Sequence, residues 1–157
     1  MEDCVINDTK VKLVDGEIYS YIKYRRSKNY KWFLLKGCIN TGGYRVVRIN
    51  KKKYLYHRVI YKLHNPEWNM EASSTTNLID HIDRNPLNNN IENLRVVTNQ
   101  QNQWNNGCKG YSWDKRENKW QVQIKVNGKS ISGGYFKDEE DAIIKREEMK
   151  VKYHTIH

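Results

Sequence analysis

Hydrophobic and polar positions change their period several times along the chain, and each change marks an element. Glu17 to Tyr24 alternates loosely, Lys31 to Leu35 is a short apolar run, and Tyr44 to Ile49 has the β-branched and aromatic make-up of a strand. Thr41-Gly42-Gly43 is a turn ahead of that last run, and Asn50 to Lys53 is a basic turn behind it, leading into Tyr54-Leu55-Tyr56. From His57 the period becomes helical: Leu55, Val59, Ile60 and Leu63 share a face, and Asn65-Pro66 ends the helix. Residues 67–76 carry no period and read as an irregular loop.

Leu78 to His81 is a short apolar run that ends in two polar residues, Asp80 and His81. Asp83 to Asn90 is turn chemistry throughout, and Leu94 to Val97 reads as a second short strand. Thr98 and Gln101 have capping-box spacing, which starts a helix running to about Asn106, with Gly107 just past its end. The unit is therefore strand, Asn-rich loop, strand, helix. Gly107 and Gly110 form a hinge into a last module, in which Tyr111–Trp113, Trp120–Val126 and Lys129–Phe136 are expected strands. Asn127-Gly128 is a hairpin turn between the last two. Asp138 to about Lys152 is an expected helix, able to turn Ala142, Ile143, Met149 and Tyr153 toward the sheet.

Composition narrows the class. The 157 residues fit one ordinary domain or two small ones, and 38% hydrophobic content supports small cores rather than one large one. Eleven Tyr, five Trp and two Phe compensate with large buried area per residue. No run reaches the roughly 18 apolar residues of a membrane span. Met1-Glu2-Asp3-Cys4 lacks the order of a signal peptide, and three widely spaced cysteines (Cys4, Cys38, Cys108) argue against a disulfide framework or a zinc ribbon. The expectation is a soluble, cytosolic protein with no small-molecule organic cofactor.

The formal charge of +10 is unevenly placed. Residues 1–68 hold 15 basic and 6 acidic side chains, residues 69–106 hold 2 and 4, and residues 107–157 hold 11 and 8. Basic segments flanking an acidic centre suit a polyanion gripped at its sides while a carboxylate-bound cation works in the middle. A merely solubilising surface accounts for the charge equally well until the chemistry is considered.

The run Asp80-His81-Ile82-Asp83-Arg84-Asn85-Pro86-Leu87-Asn88-Asn89-Asn90-Ile91-Glu92-Asn93-Leu94-Arg95, with His57-Arg58 upstream, resembles the core of HNH homing endonucleases of phages and introns. The likeness covers about residues 42–106. It departs from the His-Asn-His form of the motif, with Asp80 in the first metal position and Asn102 in the last. The chemistry can also be stated without the family. Phosphodiester hydrolysis needs an activated water, stabilisation of pentavalent charge and help for the leaving oxygen, and one cation can serve the last two. Asp80 and Asn102 offer only oxygen donors, which suits Mg²⁺ or Mn²⁺ better than zinc. His81 is the candidate general base, its imidazole being the side chain that ordinarily titrates near neutrality. On a flat strand Asp80 and His81 would point to opposite faces, so they converge only if the strand ends or twists there. The resemblance implies that Asn93 is an orienting residue that holds His81 and its strand across the loop. Asn105 and Asn106 could add a ligand, although polar residues at a helix end are as well explained by capping. A zinc cluster of His57, His64 and His81 is the rival, and it lacks a nearby Cys or paired-ligand spacing.

Gly110-Tyr111-Ser112-Trp113, Lys119 to Lys129, Gly134-Tyr135-Phe136 and the Glu140-Asp141-Ala142 helix resemble the ethylene-response-factor (Apetala-type) DNA-binding domain, over about residues 108–153. That resemblance implies a three-stranded sheet laid in the major groove of duplex DNA with its helix behind. Alternation independently puts Val122, Ile124 and Val126 on one face and Gln121, Gln123 and Lys125 on the other, where amides and ammonium groups can bond base edges and phosphates. Residues 107–136 carry six basic and two acidic side chains, and residues 138–148 two and six, so the helix should face away from DNA. Ser112, Asp114, Ser130 and Ser132 stand where that family holds Arg and Trp, so its target sequence does not carry over.

The expectation is thus an α+β protein: a ββα-metal (HNH) nuclease unit preceded by small β-strands, plus a three-stranded antiparallel sheet with one packed helix. Residues 1–106 form the nuclease domain (core about 77–106) and residues 107–157 the DNA-binding module. Expected site residues are His81 and Asn93 for catalysis and Asp80 and Asn102 for the metal. DNA contacts are assigned to Arg45, Arg48, Lys52, Arg58, Ser112, Gln121, Gln123, Lys125 and Lys129. One site per chain fits nicking by a monomer or double-strand cleavage by a homodimer. The competing class is a non-catalytic DNA-binding regulator with a decayed nuclease unit; an RNA-binding module is a third reading.

Overall fold

The computed structural model describes residues 3–24, 28–72, 75–105 and 107–154. The chain divides into two compact units, Met1–Val96 and Val97–His157. The division falls upstream of the 106/107 boundary read from the sequence.

The first unit opens with a four-stranded antiparallel sheet in chain order: β1 (Cys4–Ile6), β2 (Thr9–Val14), β3 (Glu17–Lys23) and β4 (Tyr30–Leu34). The sequence reading placed its first strand at Glu17, so β1 and β2 are additions. Asn7 and Asp8 make their hairpin, with φ of 48° and 60°. This left-handed pair is what a tight two-residue hairpin needs, and Asn and Asp are the side chains that tolerate it best after glycine. Alternation then sorts the sheet: Val11, Ile18 and Ser20 are buried, while Lys10 and Tyr21 are exposed on the other face.

A second sheet joins β5 (Cys38–Ile39), β6 (Arg45–Ile49) and β7 (Lys52–Leu55). Helix α1 (Tyr56–His64) follows β7 directly and buries Tyr56, His57, Val59 and Ile60. Tyr56, Val59 and Ile60 share one apolar core with Ile18, Val47, Ile49, Ile79 and Leu94. Tyr56 also ties polar groups together. Its hydroxyl accepts from the Ile18 amide at 3.2 Å and donates to Gly16 O at 3.1 Å, and the Arg45 guanidinium lies 3.9 Å above its ring. The last pair of strands, β8 (Leu78–His81) and β9 (Leu94–Val97), is a two-stranded sheet, entered on the β9 side by a 3₁₀ turn at Ile91–Asn93.

In the second unit, α2 (Asn99–Asn105) starts with a reciprocal capping box: Gln101 N donates to Thr98 Oγ1 at 3.2 Å, and Thr98 N donates to Gln101 Oε1 at 2.9 Å. In chain order, β8, the loop, β9 and α2 give the strand–loop–strand–helix succession that the sequence implies. The expected end of α2 at Asn106 lies outside the described residues. Strands β10 (Tyr111–Asp114), β11 (Lys119–Val126) and β12 (Lys129–Phe136) form one antiparallel sheet, and α3 (Glu139–Tyr153) packs on it around Val122, Ile124, Ala142 and Met149. Two glycines are required here, one by a turn and one by packing. Gly128 supplies the second left-handed position (φ 76°) of the Asn127-Gly128 hairpin. Gly133 sits at the β12 irregularity, where an added Cβ would lie 2.5 Å from Met149 Sδ and 2.8 Å from Val122 Cγ1. Only a residue with no side chain lets α3 approach so closely.

One packing expectation is corrected: Ile143 does not face the sheet and is 39% exposed. Helical spacing from Ala142 to Met149 passes instead through Arg146, whose side chain is only 14% exposed and whose Nη2 donates to Cys108 O at 3.0 Å. Among the described residues no helix is long and apolar enough to cross a membrane.

Candidate active site

Two adjacent polar residues at the end of a core strand form the centre of the site. Asp80 and His81 close β8, and each is only 6% exposed. Buried polar side chains need partners. Asp80 Oδ2 accepts from Arg95 Nε at 3.0 Å and Nη2 at 2.8 Å, across from β9. The His81 ring packs on aromatic neighbours: its centroid is 4.8 Å from that of His57, with the planes at 84°, and 6.0 Å from that of Tyr44. Tyr44 and His57 are themselves 5.5 Å apart, so three rings meet. His81 Nε2 lies 3.3 Å from Asn89 Oδ1. With the amide oxygen as acceptor, Nε2 carries the proton and the basic lone pair belongs to Nδ1.

Helix α1 delivers His57 to this cluster from its second position, beside the core residues Val59 and Ile60. Burial pushes the His57 imidazole down to about 3, helped by the neighbouring His81 and Arg58. It is a neutral ring at neutral pH.

The Asn-rich loop is wound around Asp83. The Asp83 carboxylate accepts from Asn85 N at 2.8 Å, Asn88 Nδ2 at 2.7 Å and Asn93 Nδ2 at 2.9 Å, and these bonds hold it below the usual carboxylate range, the Asn85 amide most of all. Asn93 ties the loop together through its side chain and its backbone. Its Oδ1 accepts from Asp83 N at 3.0 Å, its Nδ2 donates also to Asn88 O at 2.8 Å, and its carbonyl accepts from Ile82 N at 2.9 Å. Its side-chain bonds thus go to Asp83 and Asn88, while the amide beside His81 is Asn89.

Asn102 stands on α2 in the second unit, half-buried, with its backbone N donating to Thr98 O at 2.9 Å. Among the described residues no three His, Cys, Asp or Glu side chains gather as a metal cage, which leaves the zinc cluster of His57, His64 and His81 without support. The donors that the sequence singles out, the Asp80 carboxylate and the Asn102 amide, are hard oxygens. That donor chemistry fits Mg²⁺ or Mn²⁺ with water completing the shell.

Residues 54–104 match the family model described as HNH endonuclease. The chain carries an HNH endonuclease domain. Two curated relatives are viral. "Protein 3.8" of Escherichia phage T7 is 41% identical over 59 residues, covering 32% of this chain and 49% of that protein. "Uncharacterized HNH endonuclease L560" of Acanthamoeba polyphaga mimivirus is 35% identical over 103 residues, covering 63% of this chain and 49% of that protein. The chain thus spans about half the length of the curated relatives it matches. No solved structure matches it.

The HNH domain contains the end of β7, then α1, β8, β9 and most of α2, so every residue of the ring cluster except Tyr44 lies inside it. Basic residues around it divide into two kinds. Arg48 and Lys52 are exposed on the β6–β7 hairpin, Arg48 opposite Lys53, and Lys52 pairs with Glu71 at 3.1 Å on the surface. Arg45 and Arg58 have internal partners. Arg45 forks onto Glu17 (Nη2–Oε2 2.7 Å) and holds that carboxyl below its usual range. Arg58 donates to Asn77 O and Met70 O and lies 4.8 Å over the Trp68 ring. Both thus staple the fold, a geometry that runs against the DNA contacts expected of them.

In the second unit, cross-strand register gathers the polar face. Gln121 lies between Ser112 and Tyr135, Gln123 opposite Ser132, and Lys125 opposite Ser130. Lys129 is the exception: it pairs with Val126, whose side chain packs toward the α3 core. Cross-strand partners share a face, so Lys129 is separated from the Gln and Lys set. Sequence reasoning missed Tyr44, Asn89 and Arg95. Arg95 alone had a legible signal, as one of the two basic residues in the segment 69–106 that holds Asp80.

Proposed function

We propose that the protein is a metal-dependent endonuclease that hydrolyses phosphodiester bonds in duplex DNA. The observation that carries the reading is the adjacent Asp80–His81 pair, buried at the end of a strand inside the HNH domain. Asp80 would hold a Mg²⁺ or Mn²⁺ ion, which when bound supplies Lewis-acid stabilisation of the phosphate charge, and Asn102 on α2 is proposed as a metal-binding residue. His81 takes the proton of the attacking water, with His57 and Tyr44 fixing its ring and Asn89 fixing its tautomer. Arg95 orients the Asp80 carboxylate, as partners behind a metal ligand commonly do. Asn93 positions the loop rather than touching the reacting atoms.

The Gln121, Gln123, Lys125 and Ser112 face of the second sheet is the proposed DNA reader, laid in the major groove, and Arg48 and Lys52 contact phosphates. The nuclease domain acting with α2 at residues 1–106 and the reader at 107–157 is a functional division. A site-specific homing role in a phage or mobile element is the proposed context, and the two viral relatives support the viral setting alone. Incubation of supercoiled plasmid with the protein in Mg²⁺ and in EDTA tests the activity. Nicked or linear product is expected with Mg²⁺ alone, and intact plasmid under every divalent cation would remove the reading. Sequencing of cut ends from a random-site library checks the homing proposal, which requires one preferred site.

A further inference from the structure

The nuclease reading leaves one large surface unused, the outer face of the β1–β4 sheet. Register assigns its residues row by row. Lys12, Tyr19 and Leu34 form one row, Tyr21 and Trp32 the next, and Lys23 and Tyr30 the last. The rings lie against one another: Tyr21 stacks on Tyr30 with centroids 5.6 Å apart and meets Trp32 at 5.1 Å. Lys12 Nζ stands 4.4 Å over the Trp32 ring. The reverse face, with Val11, Ile18 and Ser20, is closed by the core. Among the described residues these rings stay open to solvent: Tyr30 is 54% exposed and Tyr21 37%.

A sheet face of this kind is ordinarily either polar or covered. Here it is aromatic and cationic. Lys10, Lys12 and Lys23 lie on it, and among the described strand residues of this face Glu17 is the one carboxylate, already paired with Arg45. A polyanion complements that charge. Flat rings accessible from one side offer stacking to planar groups, and bases inside a duplex already stack on their neighbours. Unpaired bases do not, and a positively charged platform with exposed aromatic side chains is what holds them.

We propose that this face is a stacking platform for an unpaired DNA strand, with Tyr21 and Tyr30 receiving bases, Trp32 backing Tyr21, and Lys10, Lys12 and Lys23 receiving phosphates. The choice of DNA over RNA rests on the nuclease reading; the platform itself does not. Binding is therefore measured in EDTA, with no cleavage. The full chain is titrated into a fluorescently labelled oligo-dT of roughly ten nucleotides, a typical site size for such platforms, with a duplex and an RNA of the same length as competitors.

The Tyr21→Ala/Tyr30→Ala variant is expected to bind the single strand about ten-fold or more weakly, the scale of losing one stacked base, while its duplex affinity is unchanged. Tyr21→Phe/Tyr30→Phe should bind as the natural chain does, because a phenyl face stacks as well. Three results overturn the proposal. Unchanged single-strand affinity in the Ala variant, with only a lower melting temperature, makes the rings a cross-strand ladder. A change in sedimentation with no change in DNA affinity makes the face a contact between copies of the chain. Tighter binding of RNA than of oligo-dT removes the assignment to DNA. Cleavage that fails while oligo-dT binding survives sinks the nuclease reading and leaves the platform standing.

Discussion

The imidazoles of His57 and His81 meet edge to face, 4.8 Å between centroids, with His57 sealed at 4% exposure behind the residue expected to activate water. Burial is the main cause of the depression of His57 to about 3, and the neighbouring His81 and Arg58 add to it. Linkage gives the sign. Between about 6.5, the ordinary unfolded value, and about 3, the unfolded chain binds the His57 proton and the folded chain does not. Stability is therefore full above that window and falls by up to roughly 1.4 kcal/mol per pH unit as pH drops through it. Urea unfolding of the first unit at pH 7 and pH 5 should show this loss, and His57→Phe, which keeps a ring and removes the proton site, should flatten it. An equal loss between pH 7 and pH 5 in His57→Phe would assign the effect elsewhere, though not to the Glu17 carboxyl. That group is held low by Arg45, so it contributes only below its ordinary range, near 4.5.

Asn93 joins the two ends of the Asn-rich loop through Asp83 and Asn88. Asn93→Ala removes three side-chain bonds and leaves their partners partly exposed to water. We expect destabilisation of about 1–3 kcal/mol together with a cleavage rate that falls more than DNA affinity does. Equal losses in rate and affinity would mean the loop binds DNA instead of positioning the site.

Asp80 and Arg95 are an ion pair with one member almost fully buried, the Asp80 side chain being 7% exposed. Arg95→Met strands that carboxylate and should cost about 3 kcal/mol. Asp80→Asn/Arg95→Met removes both charges and should recover most of the loss. Denaturant midpoints of the two single variants and the double variant measure the coupling, and strictly additive losses would deny that the pair acts as a unit.

Gly133→Ala should lift α3 from its sheet, because the new methyl group meets Val122 and Met149 inside contact distance. Overpacking of this kind costs about 1–3 kcal/mol. The near-ultraviolet circular dichroism of Trp120, which packs against that core, gives the readout. An unchanged spectrum and melting temperature would show that the helix accommodates the methyl group.

Much of this was legible locally. Thr98 and Gln101 specify their capping box, Asn127-Gly128 its hairpin, and the alternation of Val122 and Ile124 the face that meets α3, because each feature depends on residues close in sequence. The Asp80–His81 step was legible for the same reason. The Asn7–Asp8 hairpin was not, since it reaches positive φ without a glycine to announce it. Arg45 and Arg58 looked like phosphate contacts because composition carries no exposure; their partners Glu17 and Asn77 lie 28 and 19 positions away. The same distance in sequence hid the meeting of Tyr44, His57 and His81. Asn89 was one of several equivalent Asn residues in its loop until folding placed it beside His81.

The most direct measurement is the single-turnover rate of duplex cleavage in Mg²⁺ by the natural chain and by His81→Ala, both saturating the DNA. Loss of a general base should slow the step about 100-fold or more, with DNA affinity intact. Equal rates for the two proteins would contradict the assignment of water activation to His81 and, with it, the account of the site.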